Sequence, residues 1–301
     1  MSRWTTADIG DLTGTTALVT GANSGLGFHT ALELARAGAT TILAGRDDGR
    51  GADAIVKIRS EAPAADVAWQ LLDLASLASV RRAAESVPAE LDLLVNNAGV
   101  MMTPYGRTVD GFETQFGVNY LGHFALTGLL LPGLLARPAA RVVSLGSMVH
   151  RGGRIDFDDL QSERGYSRSG AYAQSKLASM VFAFELARRA AGTSLVSVAA
   201  HPGFAATNLG SRGGLFNKVI LGIGMRLGQP ASVGALATLR AATAPDVAGG
   251  EYYGPGGPGG ARGYPVLSKA ADHAYDPEIG RRLWEVSEKL TGVTFDALAG
   301  A

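Results

Sequence analysis

The 301-residue chain contains no cysteine and carries no formal net charge, because 27 basic residues balance 27 acidic ones. The first absence excludes disulfide bonds, thiolate nucleophiles and cysteine-ligated metals, and it is compatible with a reducing compartment. The second gives no reason to expect a nucleic acid or an anionic membrane surface as a partner. Both absences favour a protein that binds an uncharged small molecule.

Long apolar runs are also missing. Residues 1–16 lack the apolar segment of a signal peptide. The nearest candidate for a membrane span, FALTGLLLPGLL at 124–135, contains Pro132 and is shorter than the roughly 18 apolar residues that a spanning helix needs. The five histidines form no ligand cluster with carboxylates, so no metal site is predicted. We therefore expect a cytoplasmic protein without a membrane span.

Short apolar runs alternate with longer helical patterns along the chain. The strand-like runs are 15–20, 40–45, 67–72, 91–96, 140–146, 194–200 and a last one near GEYYG at 250–254. The helical patterns cover about Gly25–Ala37, Asp48–Glu61, Ser76–Ser86, Asp110–Ala136 and Gly170–Ala191. This alternation predicts an α/β fold in which helices cover both faces of a doubly wound, mostly parallel, seven-stranded sheet. No linker interrupts it, which predicts one domain over residues 1–301.

Two stretches break the alternation. Residues 150–170 are polar and rich in glycine, which predicts a surface excursion inserted between two functional motifs. Residues 204–230 contain the apolar run LFNKVILGIGM between glycines and polar residues. They form either a packed helix or a mobile lid over a binding site.

The segment ALVTGANSGLGFHTALELA at 17–35 predicts a strand, a glycine-rich turn and a helix. Its glycines, Gly21, Gly25 and Gly27, have the spacing G-x-x-x-G-x-G. Glycines allow a tight turn and let the backbone approach a pyrophosphate, and the helix N-terminus offers free N–H groups and a positive dipole. The segment is a candidate dinucleotide site.

The end of the second strand reads AGRDD. A NAD enzyme commonly has an acid here for the ribose 2′-hydroxyl, but Gly45 offers none and Arg46 follows directly. An arginine can pair with a 2′-phosphate in two hydrogen bonds, so NADP(H) is favoured, with NAD(H) possible. Asp47 is expected to start the next helix. The alternative is a solvated Arg46 that pairs with Asp47 or Asp48.

Polar residues also end the third and fourth strands. Asp73 would either bind an adenine amino group or cap the helix that begins near Ser76. The motif NNAG at 96–99 suits a tight turn at the carboxyl edge of the sheet, where doubly wound folds bind their ligands.

The stretch AYAQSKLAS places Tyr172 four residues before Lys176, so both lie on one helix face. They form either an ordinary surface pair or a proton donor with a cation that tunes it. A tyrosine has a pKa near 10, too high for ready proton exchange at neutral pH. A neighbouring cation favours phenolate and would lower that pKa.

The motifs TGANSGLG, NNAG, a serine near the end of the fifth strand, Y-x-x-x-K and HPG occur in this order over about 15–207. Together they resemble the classical short-chain dehydrogenase/reductase family. GVNYLGHF, SLGSMVH and the long interval before Tyr172 resemble its retinol-dehydrogenase-like branch, and YYGPGG and LWEVSEKLTG resemble bacterial members of that branch. The resemblance implies a Rossmann-type fold, hydride transfer between nicotinamide and a carbonyl or alcohol, and a homodimer or homotetramer.

The resemblance also implies residue roles. Tyr172 would be the general acid or base, Ser147 its partner, and Lys176 its tuner and a ligand of the nicotinamide ribose. Asn119 would anchor a proton-relay water. The cofactor-binding residues implied are Gly21, Asn23, Ser24, Gly25, Leu26, Gly27, Arg46, Asp73, Leu74, Asn97, Ala98, Gly99, Tyr172, Lys176, Pro202, Gly203 and Thr207.

Several positions leave alternatives. Ser144 competes with Ser147, but it is expected inside the strand and facing away. Asn119 is a poor residue for a helix interior, so it predicts either a kink that holds a water or an exposed polar position. His123 and His150 are expected to be structural, and His201 is left without a role. The sequence departs from the family at Gly146, where a serine is common, and in the position of Tyr172, which lies 25 residues beyond Ser147 rather than about a dozen.

The leading hypothesis is therefore an NADP-preferring carbonyl reductase or alcohol dehydrogenase. Apolar residues near the expected site favour a hydrophobic substrate, although core packing would explain them equally well; they are Met101, Met102, Leu145, Met148 and the stretch 215–225. The alternatives are a non-catalytic dinucleotide-binding protein and an enzyme acting on sugar nucleotides. The second alternative would call for a larger C-terminal substrate domain than this sequence offers.

Overall fold

The computed structural model describes residues 3–204 and 228–298. Within them eight strands form one sheet in the order β3-β2-β1-β4-β5-β6-β7-β8. The strands are β1 Thr16–Thr20, β2 Thr40–Gly45, β3 Val67–Leu71, β4 Leu93–Asn96, β5 Arg141–Leu145, β6 Val196–Ala200, β7 Tyr252–Pro255 and β8 Pro265–Leu267. Every pairing from β3 to β7 is parallel. The direction of winding reverses between β1 and β4, which makes the sheet doubly wound.

The prediction of seven strands is wrong by one. The additional strand, β8, pairs antiparallel with β7 through three residues. Val266 and Leu267 are exposed, as at a short sheet edge. An edge strand of three residues, Pro-Val-Leu after a glycine-rich stretch, is too short to show a strand period in the sequence.

The helices match the predicted alternation. They are α1 Gly25–Arg36, α2 Asp48–Glu61, α3 Leu77–Ser86, α4 Thr114–Phe116, α5 Gly122–Leu135, α6 Arg168–Arg189, α7 Ala231–Thr243 and α8 Pro277–Thr291. A π turn spans Gly117–Leu121, and short 3-10 helices span Thr6–Asp8, Met148–Gly152, Pro258–Gly260, Asp272–Ala274 and Asp296–Leu298. No sequence prediction covers α7 or α8.

Two apolar cores cover the two faces of the sheet. Successive residues of a strand point to opposite faces, so in β1 Leu18 joins one core while Ala17 and Val19 join the other. The first core also takes residues of α3, α5, α6 and α8, and the second takes residues of α1, α2 and α7. This arrangement leaves the carboxyl ends of the parallel strands at one edge, where the candidate site lies.

The helix expected over Asp110–Ala136 begins later and is interrupted. Its start is fixed by Glu113, whose side chain accepts hydrogen bonds from the Gln115 and Phe116 amides. The π turn Gly117–Leu121 then separates α4 from α5. By length and composition Thr114–Leu135 could cross a membrane, but 78% of its most apolar window is buried inside the protein, as in a core helix.

The segment 150–170 is more than a surface excursion, so that prediction is partly wrong. Ile155 and Leu160 are buried in the core, and the Tyr166 hydroxyl donates to the Thr103 carbonyl oxygen at 2.8 Å. The segment therefore packs against the loop that follows β4. Most of the stretch predicted as a lid or a packed helix, residues 205–227, lies outside the described residues.

Candidate active site

The glycine-rich turn between β1 and α1 needs its glycines. Gly21 and Gly25 have φ values of +66° and +58°, in the left-handed region that favours glycine. A Cβ on Gly27 would overlap the Asn97 side-chain nitrogen and lie 2.5 Å from the Gly21 carbonyl oxygen. The turn is thus shaped so that α1 approaches both its own loop and the loop after β4.

The N-terminus of α1 suits an anion. Ser24 is the N-cap residue but makes no side-chain capping hydrogen bond, and it is exposed beside half-buried Gly25 and Leu26. The first amides of a helix have no partner within the helix, and they carry the positive end of its dipole. The residues present therefore fit a pyrophosphate at this position.

Thr20, at the end of β1, forms hydrogen bonds with three residues of the site, and the sequence analysis did not identify it. Its hydroxyl oxygen accepts hydrogen bonds from the Asn97 and Ala98 amides, both at 2.9 Å. The Asn97 side chain donates back to the Thr20 carbonyl oxygen at 2.6 Å. These bonds join the NNAG turn to β1, so Asn97 and Ala98 lie beside the glycine-rich turn as the resemblance implied.

His123 extends these hydrogen bonds toward Asn119. Its Nε2 lies 2.9 Å from the Thr20 hydroxyl, and its Nδ1 lies 3.0 Å from the Asn119 carbonyl oxygen. A carbonyl oxygen can only accept, so Nδ1 donates and Nε2 accepts from Thr20. Burial lowers the pKa of His123 to about 4, which keeps the ring neutral. His123 is structural, as expected, and no short-range signal links it to Thr20.

Asn119 lies in the π turn, which is the distortion expected at this position. Its side chain accepts from the Val100 amide at 2.7 Å and donates to the Val100 carbonyl oxygen and to the Ser175 hydroxyl, each at 2.9 Å. Its own carbonyl oxygen accepts from His123 and, at 3.2 Å, from Ser179. Asn119 thus fixes the loop after β4 against α6, while its role in holding a relay water stays a prediction.

Ser147 and Tyr172 come together from different elements. Ser147 follows β5, is half-buried and caps the 3-10 helix Met148–Gly152. Tyr172 lies in the second turn of α6 and is only 6% exposed. Burial raises the pKa of Tyr172 to about 12, and hydrogen bonding by the Ser147 side chain acts in the opposite direction. Ser144, the competitor, is buried within β5.

Lys176 is buried one turn after Tyr172. Its Nζ donates to the Leu145 carbonyl oxygen at 2.9 Å, and burial lowers the pKa of Lys176 to about 8. Burial of the phenol raises the pKa of Tyr172, so the lowering expected from Lys176 stays a prediction. A Cβ on Gly99 would lie 3.6 Å from Nζ and 3.1 Å from Asn119 Oδ1, so these groups converge on the NNAG turn.

Asp47 after β2 was expected to start the following helix, and Asp73 after β3 was expected either to bind the adenine or to cap the following helix. Asp47 caps α2 through the Arg50 amide at 3.0 Å and pairs with the Arg50 side chain at 3.6 Å. Arg46 is exposed and forms no ion pair within residues 3–204 and 228–298, so the expected alternative of a pair with Asp47 or Asp48 is not seen. Ser76, not Asp73, is the N-cap residue of α3. Asp73 accepts from the Ala75 amide at 3.0 Å.

The turn after β6 is tightly built. Gly203 has a φ of +66°, and a Cβ there would overlap the Ala261 carbonyl oxygen. His201 is buried, which lowers its pKa to about 4, and its Nδ1 accepts from the Gly203 amide at 3.3 Å. Pro202 and Gly203 thus close the same edge of the sheet, whereas Thr207 lies outside the described residues.

In the part of the chain that the structure describes, no cluster of His, Asp and Glu could hold a metal.

The model of the family described as short chain dehydrogenase matches residues 15–213. The chain belongs to this family. Human retinol dehydrogenase 13 is 43% identical to it over 292 residues, which cover 93% of this chain and 85% of that protein. Mouse polyprenol dehydrogenase is 41% identical, with 93% and 84% covered. A solved structure of an uncharacterized protein from Mycobacterium Paratuberculosis has a TM-score of 0.83 and 43% identity, and covers 98% of this chain and 99% of its own.

These relatives place the short-chain dehydrogenase in the retinol-dehydrogenase-like branch, which the resemblance had indicated. It is therefore an NAD(P)-dependent oxidoreductase with a Rossmann-type fold. Family membership accounts for the glycine-rich turn and the NNAG turn lying next to each other at the switch point of the sheet.

Proposed function

We propose that the protein is an NADP-preferring reductase and dehydrogenase that interconverts a carbonyl and an alcohol on an apolar small molecule. The observation that carries this proposal is that α6 buries Tyr172 and Lys176 beside the end of β5: Lys176 Nζ donates to the Leu145 carbonyl oxygen at 2.9 Å, two residues before Ser147, and the Ser147 side chain acts to lower the pKa of Tyr172. These residues lie at the carboxyl edge of the sheet, beside the turn that fits a pyrophosphate. Tyr172 as the proton donor and Ser147 as the hydrogen-bond partner of the substrate oxygen would thus lie next to the dinucleotide.

The proton chemistry follows from the burial of Tyr172. With its pKa raised to about 12, the phenol is protonated at neutral pH and can donate a proton to a substrate carbonyl oxygen. The Ser147 hydroxyl can hydrogen-bond the same oxygen as negative charge develops on it. The nicotinamide supplies or takes the hydride when it is bound. Alcohol oxidation runs the proton step backwards and requires the phenolate.

The preference for NADP(H) is supported at the end of β2. Position 45 carries no carboxylate for a ribose 2′-hydroxyl, and Arg46 presents an exposed guanidinium directly after it. A guanidinium recognises a phosphate through two parallel hydrogen bonds. NAD(H) has no 2′-phosphate for Arg46 to bind.

An apolar substrate is supported by the surroundings of the site. Met101, Met102 and Met148 are half-buried, and Phe204 is 56% exposed at the turn after β6. The names of two relatives, retinol dehydrogenase and polyprenol dehydrogenase, point to isoprenoid alcohols. We therefore propose isoprenoid aldehydes and alcohols as the first substrates to test. A cytoplasmic location, the lack of a membrane span, and a homodimer or homotetramer belong to the same proposal.

The test follows the loss of NADPH absorbance with a panel of apolar aldehydes and ketones that includes retinal. Turnover by the wild type, and its loss in Tyr172→Phe, is the expected result. Tight NADPH binding without turnover of any carbonyl would favour the non-catalytic dinucleotide-binding alternative.

A further inference from the structure

Trp69 of β3 lies against the end of β2. In the parallel register Leu43 pairs with Trp69 and Gly45 with Leu71, so these side chains share one face of the sheet. A Cβ on Gly45 would lie 2.7 Å from the Cη2 atom of the Trp69 ring and 3.6 Å from Asn23 Oδ1. The space above Gly45 is therefore bounded by the indole on one side and by the glycine-rich turn on the other.

The indole is held in this place from a second direction. A Cβ on Gly51 of α2 would overlap the six-membered and five-membered rings of Trp69. The indole Nε1 donates to Asp48 Oδ1 at 2.8 Å. Trp69 is thus clamped between two glycines and tied to the first turn of α2, so it cannot swing away without losing both the packing and the hydrogen bond.

We propose that Trp69 is a specificity-determining residue for the cofactor: by occupying the space next to Gly45 it excludes the carboxylate with which a ribose 2′-hydroxyl would be bound. This inference rests on the proposed preference for NADP(H). An acid at the end of the second strand is the usual means of selecting NAD, and here its Cβ would collide with a ring that also packs against Gly51 and donates to Asp48. Arg46, which lies one residue later and is exposed, is left to recognise the 2′-phosphate of NADP(H).

The first experiment measures dissociation constants for NADPH and NADH by calorimetric titration of the full chain. The variants are Gly45→Asp, Trp69→Val and the double variant, and Gly49→Asp is the control because it adds an acid on α2 in a place without the indole. Gly45→Asp alone should weaken NADPH at least tenfold without a matching gain for NADH. Adding Trp69→Val should then tighten NADH at least tenfold relative to Gly45→Asp. Trp69→Val alone should keep the preference for NADPH.

The outcomes separate the two proposals. If Gly45→Asp shifts the ratio of NADH to NADPH affinity as much as the double variant does, Trp69 is not the determinant and the inference is overturned, while the NADP preference stands. Failure of the double variant to gain NADH affinity overturns it as well. A wild type that binds NADH as tightly as NADPH would overturn both the proposed preference and the role of Trp69 in it.

A second measurement needs no cofactor and uses a smaller change. Thermal unfolding of Gly45→Ala, Trp69→Val and their combination forms a double-mutant cycle, which reports the coupling between two positions in contact. Gly45→Ala should lower the melting temperature when Trp69 is present and change it little when Trp69 is replaced. Additive effects would show that the indole does not restrict position 45.

Discussion

The Nδ1 atom of His150 lies 2.6 Å from the carbonyl oxygen of Ser147. The other ring nitrogen, Nε2, accepts from the Ala271 amide at 3.1 Å, so Nδ1 is the donor. The ring is fully buried, and burial lowers the pKa of His150, which keeps one donor and one acceptor. Arg151 adds a bond from its guanidinium to the Lys269 carbonyl oxygen at 2.6 Å. The segment after β8 is thereby connected through His150 to the backbone of Ser147.

Replacing His150 by phenylalanine should impair the chemistry through Ser147. Both ring hydrogen bonds are lost while the volume is retained, and leaving buried groups unpaired costs about 1–3 kcal/mol each. We expect a lower melting temperature and a kcat for carbonyl reduction that falls more than KM rises. His29→Ala, on α1, is the control and should leave kcat unchanged. An unaltered kcat in a less stable His150→Phe protein would show that the ring only supports folding.

Replacing Arg46 by alanine should weaken NADPH much more than NADH. The guanidinium has no ion-pair partner within the described residues, so its loss removes a phosphate contact without freeing another charge. Charge-assisted hydrogen bonds contribute about 1.5–3 kcal/mol, which corresponds to a rise of roughly tenfold or more in the Kd for NADPH. Arg50→Ala is the matched control, because Arg50 already pairs with Asp47. Equal losses for both cofactors would contradict the assignment of the 2′-phosphate to Arg46.

Replacing Lys176 by methionine should stabilise the folded protein at neutral pH. The pKa of Lys176 is about 8 in the folded protein against 10.5 for a free side chain, so between these values the unfolded chain binds more protons. The buried lysine therefore penalises folding most below pH 8, and the penalty fades as the pH rises toward 10.5. The pKa difference corresponds to a penalty of about 3 kcal/mol on the free energy of unfolding. The methionine variant avoids this penalty but loses the hydrogen bond to Leu145, which contributes about 1 kcal/mol.

Unfolding by urea at pH 7 and at pH 10 measures this effect. The stability advantage of Lys176→Met should be near 2 kcal/mol at the lower pH by the same bookkeeping and should disappear at the higher one. Lys289→Met, which removes an exposed lysine of α8, controls for the loss of a lysine in itself. A difference that does not change with pH would mean that Lys176 does not titrate as its burial implies.

Alcohol oxidation and carbonyl reduction should depend on pH in different ways. Burial raises the pKa of Tyr172, so the phenol needed for reduction is present throughout the neutral range, whereas the phenolate needed for oxidation is scarce. Oxidation of retinol should therefore rise from pH 7 to pH 9, and reduction of retinal should not rise with it. Rates of both directions at each pH, with Tyr172→Phe for comparison, provide the test. A variant without the hydroxyl that kept at least a hundredth of the wild-type rate would argue against Tyr172 as the acid, since general acids contribute about 10²–10⁴-fold.

Replacing Gly27 by alanine should disturb both folding and cofactor binding. The added methyl group would overlap Asn97 and the Gly21 carbonyl, and such overpacking costs about 1–3 kcal/mol. Gly10→Ala is the control, because nothing lies within 4 Å of a Cβ at that position. Melting temperatures with and without NADPH distinguish a general loss of stability from a loss of the dinucleotide site. Normal stabilisation by NADPH in Gly27→Ala would show that the turn tolerates a side chain.

The parts of the fold that the sequence predicted are those governed by local pattern. Strands buried on both faces appear as apolar runs, and α2 was predicted with its observed bounds because Asp47 caps it. A kink at Asn119 was one of the two alternatives that the sequence offered, but the hydrogen bonds of Asn119 to Val100 and Ser175, like the Thr20–His123 bond, depend on partners far apart in the chain, which no local pattern contains. The same holds for the pKa of Tyr172: the spacing to Lys176 was readable, but the burial that raises this pKa depends on the whole packed core.

The hydrogen bonds of His150 connect Ser147 to a part of the chain that lies far in sequence from the glycine-rich turn. The glycine-rich turn and the NNAG turn follow β1 and β4, while Ser147 is supported through His150 by residues 269–271, beyond residues 15–213 that the family model matches. Substitutions at residues 269–271 would therefore change the support of Ser147 and leave the glycine-rich turn and the NNAG turn untouched. The C-terminal part of the chain can thus alter the surroundings of Ser147 independently of the turns that fit the dinucleotide.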